Sequence, residues 1–97
     1  MRNYEAMFIF RPDIAEEKLG KEIKSVEKAI KTHGKGDVKF ANLGKKSFAF
    51  PIEKFNEGVY VNYEFTAQPL TMPKIKEALK HKESILRLLI LLKGRRD

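Results

Sequence analysis

The sequence contains no cysteine. Disulfide scaffolds, zinc knuckles, cysteine nucleophiles and thiol redox chemistry are excluded with it. Histidine is nearly absent too. His33 and His81 both fall at predicted helix C-termini, where the helix dipole favours an imidazolium. No apolar run approaches the ~20 residues of a membrane span. The opening stretch MRNYEAMFIF alternates and carries Glu5, which is unlike a signal peptide. A cytoplasmic protein with no membrane partner is expected. There is no P-loop, no G-x-S-x-G, no H-E-x-x-H and no acidic cluster suited to a divalent ion. Accordingly no enzyme, no cofactor, no metal site and no small-molecule substrate is expected.

What is present is charge, mostly of one sign. Twenty Lys+Arg against thirteen Asp+Glu leave a formal net charge of +7 over 97 residues. A balance of that kind points to a polyanionic or acidic partner. The excess is uneven. Residues 1–34 hold seven basic and six acidic side chains, whereas residues 35–97 hold thirteen and seven. The early lysines are interspersed with glutamates, and Glu17/Lys21 and Glu27/Lys31 stand at i,i+4 on a predicted helix. Lys45, Lys46, Lys54 and the closing LKGRRD have no comparable density of acidic neighbours.

Hydrophobic periodicity orders the chain. Arg2 to Phe10 alternates as a strand, with Tyr4, Ala6, Phe8 and Phe10 on one face and Glu5, Met7 and Ile9 on the other. Pro12 stops it. Asp13, with Glu16 three residues on, resembles a capping box. Leu19, Ile23, Val26 and Ile30 then form one stripe on a helix of about five turns. Asp37 to Ile52 reads as an extended stretch interrupted at 42–44, where the glycine suggests a bulge or a bend rather than two separate strands, with Val38, Phe40, Phe48 and Phe50 on one parity. Pro51 argues for an edge strand. A polar connection over 53–58 is expected to lead by a hairpin into the alternation Val59, Val61, Tyr63, Phe65, Ala67. Thr71 can cap a second helix with Pro73 in its first turn and Met72, Ile75, Ala78 and Leu79 buried. The run from Ile85 to Lys93 is read as a strand.

The order β-α-β-β-α-β predicts an α+β, ferredoxin-like sandwich: a four-stranded antiparallel sheet with two helices on one face. Right-handed crossovers place the first and third strands centrally. One domain spanning 1–97 is expected, with 94–97 a mobile basic tail. The face away from the helices would carry Met7, Ile9, Ala49, Tyr60, Leu89 and Leu91, mixed with Glu5, Asn62, Glu64 and Arg87. Large apolar groups with nothing in the chain to cover them point to a protein partner.

Two other functions share this topology. An RNA-recognition-motif-like binder of single-stranded RNA needs stacking aromatics on the open face. GVYVNYEF faintly echoes its third-strand signature, yet alternation leaves only Tyr60 outside. An acylphosphatase-like enzyme needs a phosphate-cradling loop after the first strand. Arg11-Pro12-Asp13 supplies the arginine without the glycine-rich cradle.

Three stretches, RNYEAMFIFRPDI, NLGKKSFAFPIEKFNEGVYVNYEF and ILRLLILLK, together resemble the bacterial family of ribosomal protein six of the small subunit. The most specific residues are Leu43-Gly44, Lys46, Ala49, Phe50-Pro51-Ile52, Lys54, Gly58 and Tyr60. The resemblance implies a ribosomal, rRNA-binding protein acting in translation. It implies binding to the central domain of small-subunit ribosomal RNA as a heterodimer with ribosomal protein eighteen. Many members have arginine at the position of Lys45 or Lys46, where a lysine offers a point charge but no bidentate fork. On this reading Arg2, Lys45, Lys46, Lys54, Lys93, Arg95 and Arg96 neutralise phosphates, with little base readout. Met7, Ile9, Tyr60, Leu89 and Leu91 dock the partner protein.

Overall fold

The computed structural model describes residues 2–80 and 82–92. His81, Lys93, Arg95 and Arg96, all singled out in the sequence, lie outside the described residues. The elements are β1 (Arg2–Phe10), α1 (Glu16–Gly34), β2 (Val38–Ile52), β3 (Phe55–Ala67), a 3-10 turn (Pro69–Thr71), α2 (Met72–Leu79) and β4 (Ile85–Leu92). The strands form one antiparallel sheet in the order β2-β3-β1-β4, with β1 and β3 central as expected.

The alternation in β1 and β3 sends Tyr4, Ala6, Phe8, Phe10, Val59, Val61, Tyr63, Phe65 and Ala67 to the core. There they meet Ile23, Val26 and Ile30 of α1 and Met72, Ile75 and Leu79 of α2. Each large side chain so buried is worth about 1.5–3 kcal/mol relative to exposure. The Phe8 and Tyr63 rings meet edge-on at 5.0 Å between centroids. The buried Tyr63 hydroxyl donates to the Ile23 carbonyl oxygen at 2.7 Å, which pins α1 to the central strand. Burial, and secondarily the charge of Glu27, push the Tyr63 phenol well above its ordinary pKa.

Several local expectations are corrected. α1 begins at Glu16 behind Ala15, with no side-chain cap. Asp13 is instead gripped by Arg11 through two hydrogen bonds of 3.2 and 3.0 Å. The bidentate pair occupies both carboxylate oxygens of Asp13. Glu16 and Glu17 still complement the positive helix end. Thr71 precedes α2 as expected, but its hydroxyl donates back to the Gln68 carbonyl within the 3-10 turn. Ala78 is exposed. An eight-residue helix needs only one ridge, and Met72, Ile75 and Leu79 supply it. The i,i+4 pairs of α1 do not close. Among the described residues the ion pairs are Arg11–Asp13 and Lys80–Glu77. On an exposed helix face the entropy of two long side chains offsets most of the Coulomb gain.

β2 is continuous through 42–44, and the bulge expected there is present as a one-residue slip of register. The largest correction is what that slip does to parity. The Asn42 side-chain oxygen accepts the Gly44 N–H at 2.9 Å, and Gly44 takes a φ of 88°. One extra residue inverts the side-chain parity of the residues that follow it, up to the second irregularity between Ser47 and Ile52. Phe48 therefore lies on the open face, against the expectation that it shares the parity of Phe40, and it occupies the place foreseen for Ala49. The connection to β3 is also shorter than the expected 53–58. Ile52 pairs with Phe55, so Glu53 and Lys54 form a two-residue turn with φ of 46° and 74°.

Candidate RNA and partner interface

The face of the sheet opposite the helices is built from the odd positions of β1, the even positions of β3 and the odd positions of β4. Met7 lies between Asn62 and Leu89, Ile9 between Tyr60 and Arg87, and Glu5 between Glu64 and Leu91. All five expected docking residues thus share one surface. Ile9 is only 9% exposed although no helix covers it. Phe48 and Tyr60 account for that. Their rings stand 6.2 Å apart, and Phe48 reaches across Gly58 toward the Ile9 side chain. Gly58 is the seat of this contact, because a Cβ there would lie 2.6 Å from Ile9 and 2.8 Å from Phe48. Leu89 and Leu91 are 55% and 52% exposed.

A polar group sits in the middle of this apolar field. The Asn62 amide donates to Glu5 at 2.9 Å. The Asn62 side-chain oxygen is buried and accepts nothing. A buried acceptor left without a donor costs about 1–3 kcal/mol. The Asn62–Glu5 hydrogen bond thus sits at the centre of the patch.

The expected RNA-binding cations do not all converge. Lys45 and Lys46 are consecutive on β2, opposite Val59 and Gly58. Consecutive strand residues point to opposite faces, so the two serve different sides of the sheet edge. Lys54 stands at the tip of the same β2–β3 arm. All three are exposed, and among the described residues no ion pair engages them. Arg2 pairs with Ala67, at the other end of β3 from Val59, roughly 26 Å away at ~3.3 Å per residue. Arg2 is therefore apart from the lysine arm.

Sequence reasoning missed Phe48 and Phe50. Phe48 completes the open-face cluster, and Phe50 is 82% exposed on the arm. The signal was the bulge expected at Asn42-Leu43-Gly44, an Asx-type turn with a left-handed glycine, whose one extra residue was not carried into the parity of Phe48. Tyr60 and Phe48 meet at 57°, and Tyr63 and Phe65 are buried. The open face therefore lacks a parallel stacking platform for bases. Arg11 is engaged by Asp13, and its guanidinium lies 5.3 Å from the Phe55 ring centroid. Among the described residues no group of His, Asp and Glu is placed to hold a metal, and no helix is long and apolar enough to cross a membrane.

Comparison with known proteins agrees with this architecture. Residues 3–91 match the family model described as Ribosomal protein S6. The chain is similar to small ribosomal subunit protein bS6 of Thermosynechococcus vestitus, 36% identical over 90 residues covering 93% of this chain and 79% of that protein. It is 32% identical to bS6 of Desulforamulus reducens over 94 residues, covering 97% and 99% of the two chains. The crystal structure of 30S ribosomal protein S6 from Thermotoga maritima superposes with a TM-score of 0.90 at 30% identity, covering 95% of this chain and 87% of that one. The chain belongs to the ribosomal protein S6 family and is a structural constituent of the small ribosomal subunit.

Proposed function

We propose that this protein binds small-subunit ribosomal RNA in its central domain, together with ribosomal protein eighteen, and that it positions rather than catalyses. The observation that carries the RNA reading is the β2–β3 arm, which projects Lys45, Lys46 and Lys54 with no acidic partner. Unpaired cations on an arm can neutralise phosphates, and each true contact releases a counterion. Arg2 would touch a separate stretch of RNA, and Lys93, Arg95 and Arg96 belong to the same proposal on sequence grounds alone. The partner protein would dock on the open face, through Met7, Ile9, Tyr60, Leu89 and Leu91, with Phe48 added.

No cofactor, metal or small-molecule substrate enters this reading. The engagement of Arg11 by Asp13 and Phe55 speaks against a phosphate-ester enzyme. A free-standing single-strand binder would need Tyr60 available for stacking, and Phe48 competes for that surface. The test is binding to a central-domain rRNA fragment across a salt series. Replacing Lys45, Lys46 and Lys54 by alanine should flatten the log–log slope by roughly 0.7–0.9 for each phosphate no longer neutralised. An unchanged slope removes those lysines from the site. A Tyr60→Ala variant that abolishes RNA binding in the absence of any partner protein would favour the single-strand reading instead.

A further inference from the structure

The two edges of the sheet are unlike. β2 is blunted by Pro51, by the bulge at Gly44 and by Lys39, Lys45 and Lys46, all features that discourage a further strand. β4 carries none of these. Its sequence is ILRLLILL, with one charge in eight residues and neither glycine nor proline. Among the described residues it pairs with β1 alone, so about half of its N–H and C=O groups point outward from the sheet.

The helix layer does not cover this edge. At ~1.5 Å per residue the eight-residue α2 is roughly 12 Å long, whereas the eight residues of β4 span about 26 Å. The mismatch leaves a groove lined by residues 85–90 of β4 and by Lys76, Leu79, Lys80 and Lys82. Its wall is aliphatic. Among the described residues that line it, the charged ones are Lys76, Lys80, Lys82 and Arg87, with no carboxylate. Lys80 shares its charge with Glu77 at 3.1 Å. Lys82 donates to the neutral Ser25 hydroxyl at 3.1 Å, and among the described residues no carboxylate pairs with it.

We infer that the outer edge of β4 accepts an extended, acidic–apolar segment of another protein as a fifth strand, seated in the groove beside α2. This site borders the open face through Arg87 and Leu89, but it uses the outer backbone edge of β4 and the α2 side of the sheet, which neither the open face nor the lysine arm includes. The backbone edge supplies main-chain hydrogen bonds, the aliphatic wall takes alternate side chains, and the cationic rim selects carboxylates. Charge decides among the occupants. A second copy pairing β4 to β4 would bring two cationic rims together. The chain's own residues 93–97 hold three cations against one aspartate. An RNA strand offers phosphates to the N–H groups but is repelled by the carbonyls that alternate with them.

The probe is a capped nine-residue peptide alternating valine and glutamate, titrated into the full chain and followed by backbone amide shifts and hydrogen exchange. The amides of residues 85–92 should shift and gain protection. Binding should weaken about tenfold with Lys76→Glu, Lys82→Glu and Arg87→Glu combined. A version of the peptide N-methylated at alternate residues should not bind, and this control leaves the protein untouched. The inference is overturned by any of five results. The peptide could perturb β2 or the open face instead. A valine–lysine peptide could bind as well. Decauridylate could perturb the β4 amides more strongly. Or β4 could gain protection with protein concentration alone, or show no response at millimolar peptide.

Discussion

Gly58→Ala tests the open face at its tightest point. Gly58 is buried in β3, and its φ lies outside the left-handed region, so the backbone itself accepts alanine. The obstacle is space. The new Cβ would stand 2.6 Å from the Ile9 Cγ2, 2.8 Å from the Phe48 Cζ and 3.1 Å from the Phe10 carbonyl oxygen. Phe48 can swing, because the contacting atom is the far end of an edge-strand side chain. Ile9 cannot move as easily, because Cγ2 is fixed to a β-branched carbon on a central strand. Overpacking of this kind costs about 1–3 kcal/mol, and reduced chain entropy in the unfolded state returns about 0.4–1 kcal/mol. The balance is a net loss of about 1–2 kcal/mol, read as a lower urea midpoint with unchanged slope. At roughly 4–8 °C per kcal/mol for a domain of this size, the melting temperature should fall visibly. In a Phe48→Ala background the penalty should shrink by at least about 0.5 kcal/mol but not vanish, since the Ile9 contact persists. A Gly58→Ala protein as stable as the parent, or a penalty unchanged by Phe48→Ala, would refute the packing described for Ile9, Phe48 and Tyr60.

Tyr63→Phe should cost about 1 kcal/mol in denaturant titration, since it removes the bond to the Ile23 carbonyl but keeps the ring. The same residue sets an alkaline limit. Its folded-state pKa is raised, so the stability it protects is complete below the ordinary tyrosine value of about 10 and falls above it, by about 1.4 kcal/mol per pH unit. That slope should be shallower in Tyr63→Phe; identical alkaline curves would mean the phenol is not the group responsible. Leu89→Glu changes a residue that is half exposed, so stability should move by less than about 0.5 kcal/mol. Affinity for ribosomal protein eighteen should nevertheless drop at least about tenfold by calorimetry, and an unaltered value would take Leu89 out of the docking surface.

The fold was legible because its signal is local and repeated. The alternation in β1 and β3 and the stripe Ile23, Val26, Ile30 each repeat over several residues, so one misread position does not change the element. The errors lie where one residue decides. At Leu43 a single bulge inverted the parity of β2, and with it went the placement of Phe48 and Ala49. At Asp13 a cap and an ion pair competed for one carboxylate, and only the position of Arg11 settled the outcome. The candidate site divides along the same line. Met7, Ile9, Tyr60, Leu89 and Leu91 were found together because cross-strand register follows from topology once β1 and β3 are central. The cations were found as a composition, and composition carries no geometry: Lys45, Lys46 and Lys54 fall on one arm while Arg2 stands at the far end of the sheet. The groove beside β4 was invisible in the sequence for a related reason. It arises from the difference between the rise of a helix and the rise of a strand, and that difference becomes a surface only when eight residues of each are laid side by side.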